Sequence, residues 1–346
     1  MDFTLNTYKQ LVNTLQKQAY VFQTFQEFIN RPSQPLTSRN KSGTGSVGDS
    51  LPLGNLAKRS HELASNKRAG EGQAKTIILR HDVDKLPENS LRFAQIQHEL
   101  GIKGSYYFRM VPESYDPEII EKIAKLGHEI GYHYEDVDLA AKMLTKQETR
   151  NKKQETEKLL AEKAIQLFDK HLKELRRFYP IKTICMHGSP LSRYDNKLLW
   201  KYYNYRDYGI IGEPYFDVDF SKVLYLTDTG RRWDGEKVSI RDKVKKERRD
   251  TTFGYKRENS INFLSSPQPP EGGSPLGDLG ARNSQSKRFK TTFDIIKAVE
   301  KRELPNQIMF TFHPQRWTNG PAPWIKEFVW QNTKNVVKYF LNRIRE

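Results

Sequence analysis

Short apolar runs alternate along the chain with longer segments whose apolar residues recur every three or four positions. The runs are five or six residues long and rich in β-branched and aromatic side chains, which is typical of buried strands. The predicted strands cover residues 76–80, 104–109, 129–133, 182–187, 223–227 and 307–312. The predicted helices cover residues 88–100, 116–126, 155–177, 291–302 and 323–344. Strands that alternate with helices favour a parallel sheet with crossover helices, hence an α/β barrel or an open sheet.

Composition divides the chain into parts. Residues 34–75 and 258–288 are rich in small and polar residues and have no hydrophobic periodicity. Such segments bury too little apolar surface to offset their ordering entropy, so we expect two disordered insertions. An N-terminal helical segment is predicted over 1–33, and one folded α/β domain over 76–257 and 289–346.

Helix 116–126 has sequence signals at both of its ends. Asp116 can cap the first turn, and Pro117 suits the first helical position. Gly127 is a suitable residue after the last turn. Residues 3–30 share the three-and-four spacing of apolar residues, which predicts a further helix at the start of the chain.

The chain is basic and polar overall, with a net charge of +16 and a mean hydropathy of −0.79. We expect no nucleic-acid partner, because part of the positive excess lies in the expected insertions and the basic run 243–249 has no interleaved aromatic residues. No apolar run is long enough to span a bilayer, and the N-terminus lacks the features of a signal peptide. The single cysteine, Cys185, excludes an internal disulfide. Together these features predict a cytoplasmic protein without a membrane span.

Ionisable residues gather at the carboxyl ends of the predicted strands. Asp82 and Asp84 follow strand 76–80, with His81 beside them. Burial of unpaired carboxylates is costly, so this pair favours a site at the sheet edge where α/β proteins place their chemistry. The other histidines at predicted strand ends are His133, His187 and His313. One Asp and two neutral imidazoles suit Zn²⁺ or a similar divalent ion, with a position left for water.

The order of these motifs resembles the polysaccharide deacetylase (NodB-like) family. A strand is followed by Asp-x-Asp, then by Gly-His-Glu-Ile-Gly-Tyr-His at 127–133, and a late strand ends in His313. The resemblance covers about 76–256 and 289–320, and residues 127–133 are its most specific piece. It implies a distorted (β/α) barrel and a metal-dependent hydrolase that removes acetyl groups from sugars.

Carried over position by position, the resemblance implies roles for four residues. Asp82 falls at the catalytic base and His313 at the general acid. Asp84 and His133 fall at two of the metal ligands. Asp228, after strand 223–227, either orients His313 or is an ordinary loop residue.

The third metal ligand departs from the family pattern. The family's second metal-binding His would fall at Val137, and its usual Arg-Pro pair is not evident. Either His187 supplies the ligand from another strand, Glu135 supplies it locally, or metal binding is weakened. Imidazole suits Zn²⁺ better than a second carboxylate does, which favours His187.

The sugar itself would contact an aromatic face and a cationic side chain. Arg231, Trp233 and Trp317 are the candidate substrate-binding residues, with simple packing as the alternative for the two tryptophans. The predicted function is therefore metal-assisted removal of an N-acetyl or similar acyl group from a carbohydrate or glycan precursor. The competing hypotheses are a catalytically silent sugar-binding relative and a basic nucleic-acid-associated protein. Neither the particular sugar nor the oligomeric state follows from the sequence.

Overall fold

A computed structural model describes residues 1–31, 74–144, 153–188, 192, 194–233 and 289–345. The predicted insertion 258–288, and all but the last two residues of 34–75, lie outside the described residues. The described residues form an α/β fold in which a parallel sheet curls into a half-barrel, with helices packed against it. The predicted α/β architecture is confirmed at this level.

The strands form one sheet whose described pairings are all parallel. Their bounds are β1 Val21–Gln23, β2 Thr76–Val83, β3 Ser105–Phe108, β4 Glu129–Tyr134, β5 Ile184–Met186, β6 Leu224–Thr227 and β7 Gln307–Phe312. The strand order is β5-β4-β3-β2-β7-β6. β1 pairs with the first three residues of β2 and β3 with the last four, so both lie along the same edge of that strand.

Helices connect the strands and pack against the sheet. The α-helices are α1 Leu5–Lys17, α2 Phe25–Ile29, α3 Pro87–Glu99, α4 Pro117–Lys125, α5 Asp136–Met143, α6 Lys153–Leu175, α7 Leu199–Tyr202, α8 Pro214–Asp217, α9 Thr292–Glu300 and α10 Pro321–Arg345. Short 3₁₀ turns cover Asn196–Leu198, Tyr205–Tyr208 and Pro314–Arg316. The end signals of α4 are confirmed: the Asp116 side chain accepts a hydrogen bond from the Ile119 amide, and Gly127 has φ +88°.

From residue 76 onward, all the predicted strands and helices are present, with ends that shift by at most three residues. The largest shift is at β2, which continues through Val83 because Arg80–Val83 pair with β3. His81 and Asp82, which local sequence places after the strand, are therefore drawn into it by the neighbouring strand. Asp82 thus lies inside β2, whereas we expected it just beyond the end.

The prediction of one helix over residues 3–30 is wrong. α1 ends at Lys17, and Ala19 then takes a left-handed conformation with φ +60° that turns the chain into β1. Thr24 starts α2 with a capping box, in which its side chain and that of Glu27 each satisfy a backbone amide. The N-terminal segment is consequently part of the sheet and of its packing.

The inner and outer faces of the sheet bury different sets of residues. Ile78, Tyr107, Cys185 and Met309 pack together inside the half-barrel, while the helices cover a larger apolar core outside it. Gly131 makes room for Tyr107: a Cβ at Gly131 would lie 2.3 Å from the tyrosine ring. The Tyr107 ring fills this space, and its hydroxyl is hydrogen-bonded to Thr183 Oγ1 at 3.0 Å.

Candidate metal and acid–base centre

A ring of polar residues occupies the carboxyl edge of the half-barrel, where the strands end. In each of β2 to β7, the first residue after the strand is charged or is a histidine. These six residues are Asp84, Arg109, Glu135, His187, Asp228 and His313. Parallel strands end at the same edge of a sheet, which is why residues so distant along the chain come together.

Asp84, His133 and His187 converge at one point of this ring. Asp84 Oδ1 lies 3.6 Å from His133 Nε2 and 3.7 Å from His187 Nε2. That oxygen is buried and has no hydrogen-bond partner among the described residues. The other oxygen, Oδ2, accepts a hydrogen bond of 2.9 Å from Gln315 Nε2. The three candidate ligand atoms therefore face a common centre with one acceptor oxygen unsatisfied.

The tautomer of His133 suits it to bind a metal. Its Nδ1 lies 2.9 Å from the Cys185 carbonyl oxygen, which can only accept, so Nδ1 carries the proton. In the neutral imidazole, Nε2 would then carry the lone pair, on the side of the ring that faces Asp84. Burial raises the pKa of Asp84, but the neighbouring His133, His313 and His187 outweigh it and hold the pKa well below its ordinary range.

A second group of possible ligands consists of Asp82, His133 and Cys185. It lies further inside the half-barrel than the first group, because Asp82 is two residues before Asp84 along the chain. Their ligand atoms lie within 4.8 Å of one another, and all three residues are buried. Asp82, however, is held by Arg80 in a two-pronged salt bridge, with Nε–Oδ1 2.8 Å and Nη2–Oδ2 2.6 Å. A cation placed there would face the guanidinium, so the charge distribution favours the outer group containing Asp84.

His313 and Asp228 form a buried acid–base pair opposite these ligands. His313 Nδ1 lies 2.5 Å from Asp228 Oδ1, and the histidine backbone amide donates to Oδ2 of the same carboxylate at 2.9 Å. Arg316 Nη1 also donates to Oδ1, at 2.9 Å. His313 Nε2 points toward the ring of polar residues and lies 4.0 Å from Asp84 Oδ2. Of the two readings left open by the sequence, the structure has Asp228 in contact with His313.

The pKa values of the pair are shifted in complementary directions. Burial and the Arg316 charge lower the pKa of His313, but Asp228 and Asp84 raise it more, and it lies above its ordinary value. Burial raises the pKa of Asp228, but His313 and Arg316 lower it more, so it lies below its ordinary value. Both shifts favour a protonated imidazole beside an ionised carboxylate over the neutral pair.

The contacts of Val137 and Glu135 bear on the choice of a third ligand. Val137 is buried among apolar residues in the first turn of α5, so that position does not face the ring. Both oxygens of Glu135 are engaged by Arg109, with Nε–Oε1 2.8 Å and Nη2–Oε2 2.9 Å. His187, by contrast, directs Nε2 toward Asp84 Oδ1, at 3.7 Å.

The candidate substrate-binding residues are placed differently from the prediction. Trp317 is 1% exposed, and its indole nitrogen donates to Asp228 Oδ2 at 2.6 Å. Trp233 is buried against Phe310 and donates to Thr292 Oγ1 at 3.0 Å. Arg231 is buried and donates to the carbonyl of Trp324 at 3.1 Å. These three side chains pack inside the protein, and none presents an open face to a sugar.

His81 also differs from expectation. It points to the outer face of the sheet, where its ring stacks on Tyr106 and bonds to Gln97 and the Ser105 carbonyl. Burial lowers the pKa of His81 to about 3, so it is a neutral core residue. Neighbours along a strand face opposite sides of the sheet, and His81 and Asp82 are such neighbours.

Sequence reasoning missed several residues that shape the ring. Arg109 is the last residue of the predicted strand 104–109, so its position at a strand end could have marked it. Arg80 lies two residues before Asp82 and hence on the same face of β2, a signal that the strand period supplies. Gln315 and Arg316 follow His313, and only the 3₁₀ turn over Pro314–Arg316 brings them back onto Asp84 and Asp228.

Comparisons of the chain with protein-family models, with curated proteins and with solved structures give no match. Among the described helices, none combines the length and apolar composition that crossing a membrane requires. The assignment of function therefore depends on the geometry and chemistry of the ring.

Proposed function

We propose that this protein is a metal-dependent hydrolase that removes an N-acetyl or similar acyl group from a sugar or glycan precursor. The proposal includes a distorted (β/α) barrel of the polysaccharide deacetylase type and a cytoplasmic setting. One observation carries it: a buried Asp84 oxygen without a hydrogen-bond partner faces Nε2 of both His133 and His187, beside the His313–Asp228 pair.

The donor set fits a divalent ion such as Zn²⁺. Ligand atoms of a tetrahedral zinc site lie roughly 3.4 Å apart, given metal–ligand distances of about 2.1 Å. Asp84 Oδ1 lies 3.6 and 3.7 Å from the two imidazole nitrogens, so small side-chain adjustments suffice. One carboxylate and two imidazoles leave a position for water, as in catalytic rather than structural sites. Asp84 and His187 are partly exposed, which gives solvent and substrate a route to that position.

Amide hydrolysis needs one group that accepts a proton from water and another that donates one to the leaving amine. A divalent ion, when bound, polarises the water and the substrate carbonyl. We assign proton acceptance to Asp82, whose Oδ2 lies 3.8 Å from His133 Nε2 and whose charge Arg80 compensates. We assign proton donation to His313. Water adds to the carbonyl carbon, the C–N bond breaks, and acetate and the free amine are released.

Asp228 supports the donor in two ways. Its contact with Nδ1 keeps Nε2 of His313 pointed into the ring, and its negative charge favours the protonated imidazole. Arg316 and Trp317 hold the Asp228 carboxylate in place through 2.9 Å and 2.6 Å hydrogen bonds. Trp317 therefore acts on the site through Asp228 and not through contact with a sugar.

Elemental metal analysis of the purified protein tests the proposal first. Wild type should hold close to one divalent ion per chain, and His133→Ala and His187→Ala should both lose it. His98→Ala is the matched control, because His98 lies on the exposed side of α3 and should leave metal content unchanged. Absence of metal from wild type, even after reconstitution, would favour the catalytically silent sugar-binding relative instead.

Release of acetate from a panel of N-acetylated amino sugars and oligosaccharides tests the reaction class. The metal-loaded protein should release acetate and expose a free amine in equal amounts. Metal that is bound without any acetate release across the panel would count against the deacetylase assignment while leaving the metal site intact.

A further inference from the structure

The ring contains an ion pair that the proposed reaction does not itself use. Glu135 is 3% exposed, and both its oxygens accept hydrogen bonds from Arg109. The third nitrogen of that guanidinium, Nη1, donates to the backbone carbonyl of Asp84 at 3.0 Å. One arginine thus connects the residues that follow β2 and β4. A buried pair of this kind is no strong source of stability, so its place in the ring calls for another explanation.

The Glu135–Arg109 ion pair lies directly beside His187, which is one of the proposed metal ligands. Its Nδ1 lies 3.2 Å from Glu135 Oε2, and its Nε2 lies 3.7 Å from Asp84 Oδ1. The imidazole therefore lies between two carboxylates, one at each nitrogen. Nδ1 is buried and makes no well-aligned hydrogen bond to a described residue, so its 3.2 Å approach to Glu135 is a close contact of charge and not yet a hydrogen bond. A small rotation of the imidazole would direct a proton on Nδ1 at Glu135 and leave the lone pair of Nε2 directed at Asp84 and the proposed ion.

We propose that Glu135, held in place by Arg109, is the positioning residue that makes His187 the third metal ligand. The inference rests on the proposed function, and it explains how the site works without a His at position 137. Metal-binding histidines are regularly backed by a carboxylate or carbonyl at the other nitrogen, which fixes the tautomer and makes the ligand more basic. His133 is backed by the Cys185 carbonyl, whereas His187 is backed by a side chain.

The alternative, that Glu135 binds the ion directly, fits the contacts less well. Both of its oxygens are already engaged by Arg109, and Oε2 faces the nitrogen of His187 that points away from Asp84. Direct ligation would require the carboxylate to leave the guanidinium, which would then be left as a largely buried, unpaired charge. The existing geometry instead places Glu135 behind the ligand.

Metal affinity of Glu135→Gln tests the proposal without any need for a substrate. Co²⁺ binding, followed by visible absorption and by competition with a chelator of known affinity, should be 10- to 100-fold weaker than in wild type. Glu118→Gln is the control, since Glu118 is exposed on α4 and should bind Co²⁺ like wild type. A Glu135→Gln protein with wild-type affinity for Co²⁺ would overturn the proposal.

Long-range ¹H–¹⁵N NMR of the metal-free protein reports which nitrogen of His187 carries the proton. This tautomer would not change in Glu135→Gln if Glu135 only stabilised the fold. The His187 ring, assigned by loss of its signal in His187→Ala, should carry its proton on Nδ1 in wild type. Glu135→Gln should show a mixture of tautomers. An unchanged single tautomer in that variant would count against the role of Glu135 even if the fold is intact.

Arg109→Lys covers the case in which Glu135→Gln fails to fold. Lysine keeps the positive charge but cannot donate two parallel hydrogen bonds, so Glu135 should be held less firmly and Co²⁺ should bind more weakly. Wild-type affinity in Arg109→Lys would overturn the part of the proposal that concerns Arg109. If wild type itself binds no divalent ion, the proposed function fails, while the tautomer measurement still reports on the Glu135–His187 contact.

Discussion

Asp82 and Arg80 lie two residues apart on one strand, so both side chains enter the half-barrel and neutralise each other. Burial of either charge alone would be costly, and each side chain supplies the other with a partner of opposite charge where only 2% of Asp82 is exposed. The pair also fixes the carboxylate plane beside His133. Proton acceptance by Asp82 therefore depends on a geometry that its neighbour Arg80 maintains.

Asp82→Asn should abolish turnover with little loss of metal. Asparagine keeps the shape but cannot take a proton from water, and loss of a general base lowers rates by about 10²- to 10⁴-fold. Metal content should stay near that of wild type because Asp84, His133 and His187 are untouched. Acetate release and elemental analysis on the same preparation check both parts, with the exposed Asp219→Asn as control. Full activity in Asp82→Asn would remove it from the role of base.

Glu213 is a buried carboxyl whose ionisation should be visible in stability. Burial raises the pKa of Glu213 to about 7 from 4.5, although the Met186 and Tyr215 amides and the Arg80 charge oppose the shift. Between pH 4.5 and 7 the folded chain keeps a proton that the unfolded chain has released. Stability from this group therefore falls as the pH rises through that window.

Glu213→Gln should remove this pH dependence. Relative to wild type, the variant should gain up to about 3 kcal/mol in free energy of unfolding between pH 5 and pH 8, at about 1.4 kcal/mol per pKa unit. Urea unfolding at several pH values measures the difference. Buried histidines such as His81 act in the opposite direction but equally in both proteins, so they cancel. A difference that is flat with pH would show that Glu213 ionises normally.

Individual elements were predictable wherever local sequence and tertiary contacts agree. Both ends of α4 were predictable because capping by the Asp116 side chain and the left-handed conformation of Gly127 are local effects. β1 was missed because three residues gain strand character only by pairing with β2, a partner more than fifty positions away. Likewise, the last residues of β2 are extended by β3 and not by their own propensity.

Asp116→Ala should destabilise the protein by roughly 1 kcal/mol, since it removes the oxygen that satisfies the Ile119 amide at the start of α4. Asp116→Asn and Asp116→Ser should retain most of the stability because both side chains can cap. Chemical denaturation at neutral pH compares the three variants. Equal losses in all of them would mean that charge at this helix end matters more than the hydrogen bond.

Only part of the membership of the ring was predictable from the sequence, and the direction of its side chains was not. Strand ends identified Asp84, His187, Asp228 and His313, because a parallel sheet brings all such positions to one edge. The sequence could not tell which strand-end side chains turn inward. Trp317 follows His313 closely, yet the turn over Pro314–Arg316 sends it into the core, where it holds Asp228.

At the scale of the whole molecule, a bound ion would connect residues that follow β2 and β5 with one inside β4. Binding to the folded state alone raises the free energy of unfolding by about 2.7 kcal/mol at a free metal concentration 100 times Kd. Zn²⁺ or Co²⁺ should therefore raise the Tm of wild type and leave that of Asp84→Ala unchanged. Differential scanning fluorimetry with and without a chelator measures both. An equal rise in the two proteins would place the ion elsewhere.

The residues of the ring lie at positions different from those that determine how the strands pair. Each ring residue stands one step beyond a strand, so its side chain contributes nothing to the backbone ladder that sets strand register. Substitution there can alter charge, ligand type or acidity while the alternation of inward and outward residues in the strands is preserved. The same scaffold could accept a different set of six side chains, and with it a different reaction, without a new fold.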